Sequence, residues 1–493
     1  MGFTVGRARE KQIVTLRRFL PTITVLLAAC AVGPQYSRPA LDVPEVFRDE
    51  TGARGTASLA DLSWWDIYRD PTLRELLKTA VEQNRDIKIA AARVTEARAQ
   101  AAIARVAQFP QANANFDAQR GRVFQGGDYV TGALFTADGQ VSFELDLWGR
   151  LASLSDAARA NLLATEYARD GVTSSLVGDV ATAYFDLIAF DQQLRVTQRT
   201  VGVRQRFLDL TQSKLRNGAA AGIDVNRADA SLAAAEATAA ELRRQIAQTE
   251  NRLRILLGEN PAPITRPDVD LEALPAPPDV PPGLPSSLLE RRPDLRLAEA
   301  SLAGATANVR AAKAALYPTI SLTGSFGWES LELTKLFTGP TKVWSLGLDV
   351  LQPLINAQRN RHQVEAAQAH AEQVLLQYQN AVAQAFREVS DALVARQRYD
   401  EQLRAQQQQV NALQEASARV LRRYEVGYSS YFEVIDAQSS LYTAQLLLVQ
   451  ARRNSLVTVV QLYKALGGGW DRAAAQHAAT LANRTVHRIP RSA

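Results

Sequence analysis

The sequence predicts a mixed α/β membrane protein with an internal duplication, built from amphipathic strands and long coiled-coil helices. Three observations predict it. Residues 71–258 and 285–467 match each other at an offset of about 208. Four segments alternate strictly between apolar and polar residues. One stretch, Gln358 to Tyr424, runs for 67 residues without proline or glycine.

The chain has 493 residues, enough for two or more ordinary domains, but repetition weakens a count made from length. Its first 29 residues carry Arg7, Arg9, Lys11, Arg17 and Arg18 against Glu10, then an apolar stretch from Phe19 to Ala29. This is the pattern of a secretory leader. The apolar run is about half the ~20 residues that a membrane-spanning helix needs, and no later segment supplies such a run. The quartet Leu27-Ala28-Ala29-Cys30 resembles the bacterial lipoprotein signal, which makes Cys30 the expected lipid anchor and residues 30–70 a lipidated N-terminal segment. Cys30 is the only cysteine, so no intrachain disulfide forms and stability must come from packing and oligomerisation.

The net charge of +5 and pI near 9.3 suggest nucleic acid at first sight. Five basic side chains and one acidic one in the leader supply four of those five charges. The remaining Lys and Arg are scattered among Glu and Asp along helices, which describes a solvated face and excludes a phosphate-binding stripe.

The first repeat is expected over 71–259, as a helix, strands at 111–120 and 133–148, and a long helical hairpin with its tip at 217–223. In the strands, Ala112, Ala114, Phe116 and Ala118 alternate with polar residues that include Asp117, and Val141, Phe143, Leu145 and Leu147 alternate with Glu144 and Asp146. Residues 260–285 hold nine prolines and read as an extended connector, because proline fixes φ and removes an amide donor. The second repeat, 286–467, is expected to carry strands at 319–328 and 342–352 and a hairpin with its tip at 426–430. Here Ile320, Leu322, Phe326 and Trp328, then Trp344, Leu346, Leu348 and Val350, mark the apolar faces. Residues 468–493 read as a loosely attached tail.

A half-buried soluble sheet gives the same alternation. Against it stand strands of about ten residues, the length for a tilted bilayer crossing, and joining loops at Arg120 to Gly132 and Glu329 to Val343. The charges Asp117, Glu144, Asp146 and Asp349 also suit a wet lumen. Four strands cannot enclose a pore, and spanning sheets must close because lipid offers edge amides no partner. Two copies would give eight strands and three would give twelve, and both satisfy closure.

Leu375, Tyr378, Val382, Ala385, Val389 and Ala392 follow in steps of three and four, as do Val434, Ala437, Leu441, Ala444, Leu448, Ala451 and Ser455. That is heptad spacing, with large residues alternating with alanine so that helices pack closely. One helix over 358–424 would run ~100 Å at 1.5 Å per residue. Asn217-Gly218 and Gly427-Tyr428-Ser429 close the two hairpins, glycine supplying the left-handed conformation that ends a helix.

A lipobox followed by Gly33-Pro34-Gln35-Tyr36, then Trp64-Trp65, two similar halves, and Arg423-Tyr424-Glu425-Val426-Gly427 before Glu433-Val434-Ile435-Asp436-Ala437 resembles the TolC-like outer-membrane factor family, in its lipoprotein branch serving resistance-nodulation-division (RND) pumps. The resemblance covers essentially the whole mature chain. It implies a homotrimer with a twelve-stranded barrel in the outer membrane, continued by a helical tunnel into the periplasm. It implies an exit duct for small molecules, partnered by a periplasmic adaptor and an inner-membrane RND-type pump.

It also implies that the tips, Asn217, Gly218, Gly427, Tyr428 and Ser429, meet the adaptor, and that Glu433 and Asp436 form charged rings constricting the tunnel. Glutamate stands at 433 where the family usually has aspartate. Three carboxylates around a narrow axis repel one another and filter cations. Acids favoured by the dipole at a helix start would look the same. From position alone, Arg422 and Arg423 are candidates for a latch holding the closed state.

No enzymatic chemistry emerges. The four histidines, His362, His370, His477 and His487, lack metal-ligand spacing. The expected cofactor list is empty apart from the lipid on Cys30. Met1 is the only methionine, which argues against a copper-export specialist, since thioethers favour Cu(I). Two other readings stand beside the efflux duct: the outer-membrane duct of a type I protein secretion system, and a lipid-anchored periplasmic scaffold whose strands form a soluble sheet.

Overall fold

The structure, a computed structural model, describes residues 32–41, 44, 47, 58–125, 128–275, 287–354 and 357–469. The leader 1–29, Cys30, the tail from 470 and residues 276–286 of the connector lie outside the described residues.

One order of elements occurs twice. The first half runs α1 (Pro71–Gln83), α2 (Arg85–Val106), β1 (Gln111–Gln125), β2 (Asp128–Glu144), α3 (Arg150–Arg216) and α4 (Gly222–Leu256). The second runs α5 (Pro293–Ala314), β3 (Thr319–Ser330), β4 (Lys342–Leu351), α6 (Ala357–Glu425) and α7 (Tyr431–Ala465), with the single turn Leu288–Arg291 where the first half has α1. The chain divides into two compact units. One comprises the described parts of Met1–Ala40, Arg93–Glu166 and Leu297–Gln379, and the other those of Leu41–Ala92, Tyr167–Arg296 and Asn380–Ala493.

The first unit holds the sheet, four strands in the order β1-β2-β3-β4, every neighbour antiparallel. Directly opposed residues share a face of an antiparallel sheet, so the register fixes which side chains stand together. The rung Ala114, Gly139, Phe326 and Trp344 and the rung Phe143, Leu322 and Leu348 belong to one face. Asp117, Thr136 and Glu329, then Glu144, Ser321 and Asp349, belong to the other. On that polar face the Ser325 and Ser345 hydroxyls lie 2.8 Å apart. The apolar face is uncovered: Trp344 and Leu346 are 77% and 73% exposed.

The strand boundaries differ from those expected. β1 continues to Gln125 and β2 starts at Asp128, so most of the expected loop from Arg120 to Gly132 is ladder, with Gly121 opposite Gly132 and Arg122 opposite Thr131. Glycine and arginine weaken a strand signal in sequence but break nothing once a partner strand supplies the hydrogen bonds. At its other end β2 stops at Glu144, not at 148, because Asp146 takes a φ of 41° and its carboxylate accepts hydrogen bonds from Leu151 N (2.9 Å) and Ala152 N (2.8 Å), opening α3. Trp148 stacks on Tyr317 and donates from Nε1 to the Pro318 carbonyl at 2.7 Å, joining the two halves at this junction. In the second half β3 extends to Ser330 and β4 covers Lys342–Leu351. The intervening loop contains the single turns Leu333–Lys335 and Gly339–Thr341.

Residues 32–40 of the same unit run against α5. Tyr36 Oη donates to Glu299 at 3.1 Å, Arg38 forms a two-pronged pair with the same carboxylate, and the backbone at Gly33 packs on Arg310.

In the second unit a continuous core gathers α1, the middle of α3 and the C-terminal part of α7, with Leu73, Leu77, Tyr184, Leu187, Ile188, Leu253 and Leu462 buried. Asp70 caps α1 by accepting from Leu73 N at 2.8 Å and also accepts from the Tyr184 hydroxyl at 3.2 Å. The expected seam is largely present. Tyr378, Val382, Ala385, Val389 and Ala392 are buried on α6, and Val434, Ala444, Leu448 and Ala451 on α7, while Leu375, Ala437, Leu441 and Ser455 are half-buried. α6 covers 69 residues, slightly more than the uninterrupted stretch in the sequence.

The described part of the connector contains one turn, Leu271–Ala273. With no strand partner, it is held by side chains: Arg266 pairs with Asp191 and Glu250, Arg195 with Asp268 and Asp270, and Gln192 accepts from Leu271 N.

The β2–β3 ladder depends on Gly327, because a Cβ there would lie 2.3 Å from the Ala137 carbonyl oxygen and 2.5 Å from Asp138 Cα. Gly327→Val is expected to cost ~1–3 kcal/mol through overpacking and to lower the midpoint of heat-induced loss of β-structure. An unchanged midpoint by circular dichroism would show that the strands do not approach so closely.

Candidate functional site

The hairpin tips are built by the same turn. At the first, Gly218 N donates to the Leu215 carbonyl (3.0 Å) and Ala219 N to that of Lys214 (2.8 Å). At the second, Gly427 N donates to Tyr424 O (3.2 Å) and Tyr428 N to Arg423 O (2.8 Å). This double bond pattern needs a left-handed residue after the helix, and Gly218 and Gly427 supply φ of 70° and 85°. Asn217, Gly218, Gly427 and Tyr428 are exposed and Ser429 is half-buried, with Val426, Tyr428 and Phe432 presenting apolar surface.

Glu433 closes a capping box at the start of α7. It accepts from Ser430 N and Oγ, both at 3.2 Å, while Ser430 Oγ accepts from Glu433 N at 3.3 Å. Those Ser430 hydrogen bonds hold its carboxyl below the ordinary range. Asp436 follows three residues later and is exposed, so the two acids share a helix face. Arg423 Nη2 donates to the Tyr428 carbonyl at 3.2 Å, within its own tip, and Arg422 is exposed.

Beneath both tips lies an aromatic cluster that the sequence reading did not single out. Phe207, Tyr424 and Tyr431 have ring centroids 6.0–6.3 Å apart, packed with Leu208, Ala228, Leu232 and Val434. Burial pushes the Tyr431 hydroxyl up to about 12. Lys214 sits 4.0 Å over the Tyr424 ring, and Arg204 lies 5.4 Å over Tyr442 while its Nη1 donates to the Ser231 carbonyl at 2.6 Å. The available signal was the pair Tyr424 and Tyr431, one heptad apart across the turn.

The strand acids separate into two kinds. Asp117 and Asp349 are exposed on the polar face. Glu144 accepts two hydrogen bonds from Arg150, at 3.1 and 2.6 Å, so its charge is balanced. Asp146 is not on a strand face, since it caps α3. Nδ1 of His362 lies 2.9 Å from a carboxylate oxygen of Glu365, its neighbour one turn on. Among the described residues no group of three or more His, Cys, Asp or Glu side chains is arranged to hold a metal, and no helix is long and apolar enough to cross a membrane.

An amphipathic antiparallel sheet with an uncovered apolar face, in a chain that also forms seam-packed helical hairpins, defines the class of outer-membrane channel subunits. The comparisons agree. The family model for outer membrane efflux protein matches the chain twice, at residues 76–259 and 284–468. The probable efflux pump outer membrane protein TtgC of Pseudomonas putida is 34% identical over 462 residues, covering 92% of this chain and 95% of that protein. The cation efflux system protein CusC of Escherichia coli is 33% identical over 453 residues, covering 91% and 98%. Among solved structures, the open-state MtrE outer membrane channel of Neisseria gonorrhoeae aligns with a TM-score of 0.81 at 32% identity, covering 90% of this chain and 99% of that one. A CusC crystal structure aligns at 0.80 and 32%, covering 89% and 100%. The chain belongs to the outer membrane efflux protein family, and it is an outer-membrane channel protein through which an efflux pump discharges.

A depressed folded-state pKa means that the Glu433 cap contributes stability above the unfolded carboxylate value of about 4.3 and loses it as pH falls through the lowered value. Amide exchange at Tyr431 to Ile435, corrected for intrinsic rates, is expected to be flat near neutral pH and to accelerate below about pH 4. Glu433→Ala should abolish that pH dependence and exchange faster throughout. A wild-type rate in the variant would show that the box does not hold the helix start.

Proposed function

We propose that three copies of this chain close their sheets into a twelve-stranded barrel and their helices into a periplasmic tunnel, forming the passive exit duct of a tripartite pump. The two repeats would then descend from one duplicated half. The observation that carries this reading is the sheet, whose outer strands β1 and β4 each pair on one side only and whose apolar face is uncovered. Lipid cannot satisfy such edges, and a strand of the next copy can.

In this assembly the inner-membrane RND-type pump supplies the energy and a periplasmic adaptor bridges to the hairpin tips through Asn217, Gly218, Gly427, Tyr428 and Ser429. Three copies of Glu433 and Asp436 would ring the tunnel axis as a cation-selective constriction, with Arg422 and Arg423 as a latch between subunits. Asp117, Glu144 and Asp349 would face the lumen. A lipid on Cys30 anchors each chain. Three residue steps, at most ~11 Å of chain, lead from it to Gly33, which docks on α5 near its C-terminal end. Relatives named for toluene, antibiotic and cation efflux bracket the cargo. The absence of methionine after Met1 favours small organic molecules over Cu(I).

Cys30→Ser, secreted with a cleavable leader, tests the barrel. It should remain in carbonate-washed outer membranes as a trimer and conduct in planar bilayers; release on washing with no conductance would favour the scaffold reading. In the same assay Glu433→Gln/Asp436→Asn should reduce cation over anion selectivity severalfold, and unchanged selectivity would remove the ring. Arg422→Ala/Arg423→Ala should raise the open probability, and an unaltered resting conductance would eliminate the latch.

A further inference from the structure

The four strands segregate charge completely. Among their described residues every carboxylate, Asp117, Asp128, Asp138, Glu144, Glu329 and Asp349, lies on the polar face. Every cation, Arg120, Arg122 and Lys342, lies on the apolar face. The bases are also placed asymmetrically. All three stand toward the ends of the strands farthest from the helices, and the helical end of that face, with Ala112, Val141, Phe143, Ile320, Leu322, Leu348 and Val350, carries no charge among the described residues. A cation on a lipid-facing surface is costly at mid-depth and is tolerated near the interface, so its position carries information.

The depth fits. Along β2 the apolar face runs from Phe143 to Ala133, ten residues at ~3.3 Å each, or ~33 Å of strand. At the usual barrel tilt that is ~25 Å along the membrane normal, the height of the apolar band of such barrels. Arg120 stands opposite Ala133 and Arg122 one rung beyond, opposite Thr131. Both guanidinium groups therefore fall where the hydrocarbon ends. Arg122 lies 5.0 Å over the ring of Tyr129, itself 65% exposed, which fixes its orientation beside an interfacial aromatic. Lys342 opens the opposite edge strand, in register with Ala137, two rungs nearer the helices and apart from this pair.

We propose that Arg120 and Arg122 form a binding site for phosphate groups of outer-leaflet lipid, one on each subunit. Planar guanidinium groups pair with phosphate oxygens through two parallel hydrogen bonds, and no carboxylate on this face competes for them. The site rests on the barrel reading and assigns its outward rim. It would hold anionic lipid around the channel mouth and set the depth at which the barrel sits.

The test uses the full-length protein purified in mild detergent, with organic phosphate measured per trimer before and after incubation with a bis-phosphorylated glycolipid. Arg120→Gln/Arg122→Gln should lower bound phosphate at least threefold while membrane retention and conductance stay at wild-type levels. Lys335→Gln, in the loop beyond the strands, should leave it unchanged. Equal phosphate in wild type and double variant, or loss of a co-purifying protein instead of lipid, would overturn the site while leaving the barrel intact. A wild type that washes off the membrane would overturn both.

Discussion

The constraint on which the structure depends is the satisfaction of backbone groups at the two edges of the sheet. β1 and β4 expose unpaired amides and carbonyls along 15 and 10 residues, beside a face of Trp, Phe, Leu and Val with nothing covering it. In water the face is unfavourable, and in lipid each unpaired edge group costs several kcal/mol. A single chain has no environment in which both conditions are met. In the proposed trimer, pairing β4 of one copy with β1 of the next would remove the edges and turn the exposed face into the one surface that lipid favours. The membership of the chain in an outer-membrane channel family is the biological form of that requirement.

The helices solve a different problem. Helices of 67 and 69 residues cannot curl around a core of their own, so each must bury a narrow stripe against a neighbour over its whole length. Alanine at alternate seam positions brings the axes close, and the fully buried Ala385 and Val389 show the stripe at its tightest. Where the stripe ends, other devices take over: the aromatic cluster of Phe207, Tyr424 and Tyr431 under the tips, and the Arg266 and Arg195 ion pairs that hold a connector with no strand partner. At the end of β2, Asp146, with its left-handed backbone, converts strand into helix within a few residues.

Much of this was legible because period-two and heptad patterns are direct projections of strand and helix geometry. The second tip was placed at 426–430, and α6 ends at Glu425 and α7 begins at Tyr431. The hairpin joining β1 and β2 was not legible past Arg120, since Gly121 and Gly132 read as breakers until the ladder shows them facing each other. Asp146 looked like one more lumen acid because alternation continues through Leu145 and Leu147 after the strand has ended. Nor does sequence reveal that Glu144 is balanced by Arg150, six residues on, because the turn between them has no periodicity.

The glutamate at 433, where aspartate is usual among the proteins this chain resembles, takes on a meaning in the structure. Glutamate at the third helical position after a capping serine reaches back to the backbone amide of that serine, and Glu433 does so. Aspartate is one methylene shorter and reaches less far. The longer side chain therefore ties its charge to its own helix start. Asp436 makes no such bond to the cap and stands one turn further along the same face. In the proposed trimer both acids would line the constriction, and Glu433 would in addition fix where the helix begins.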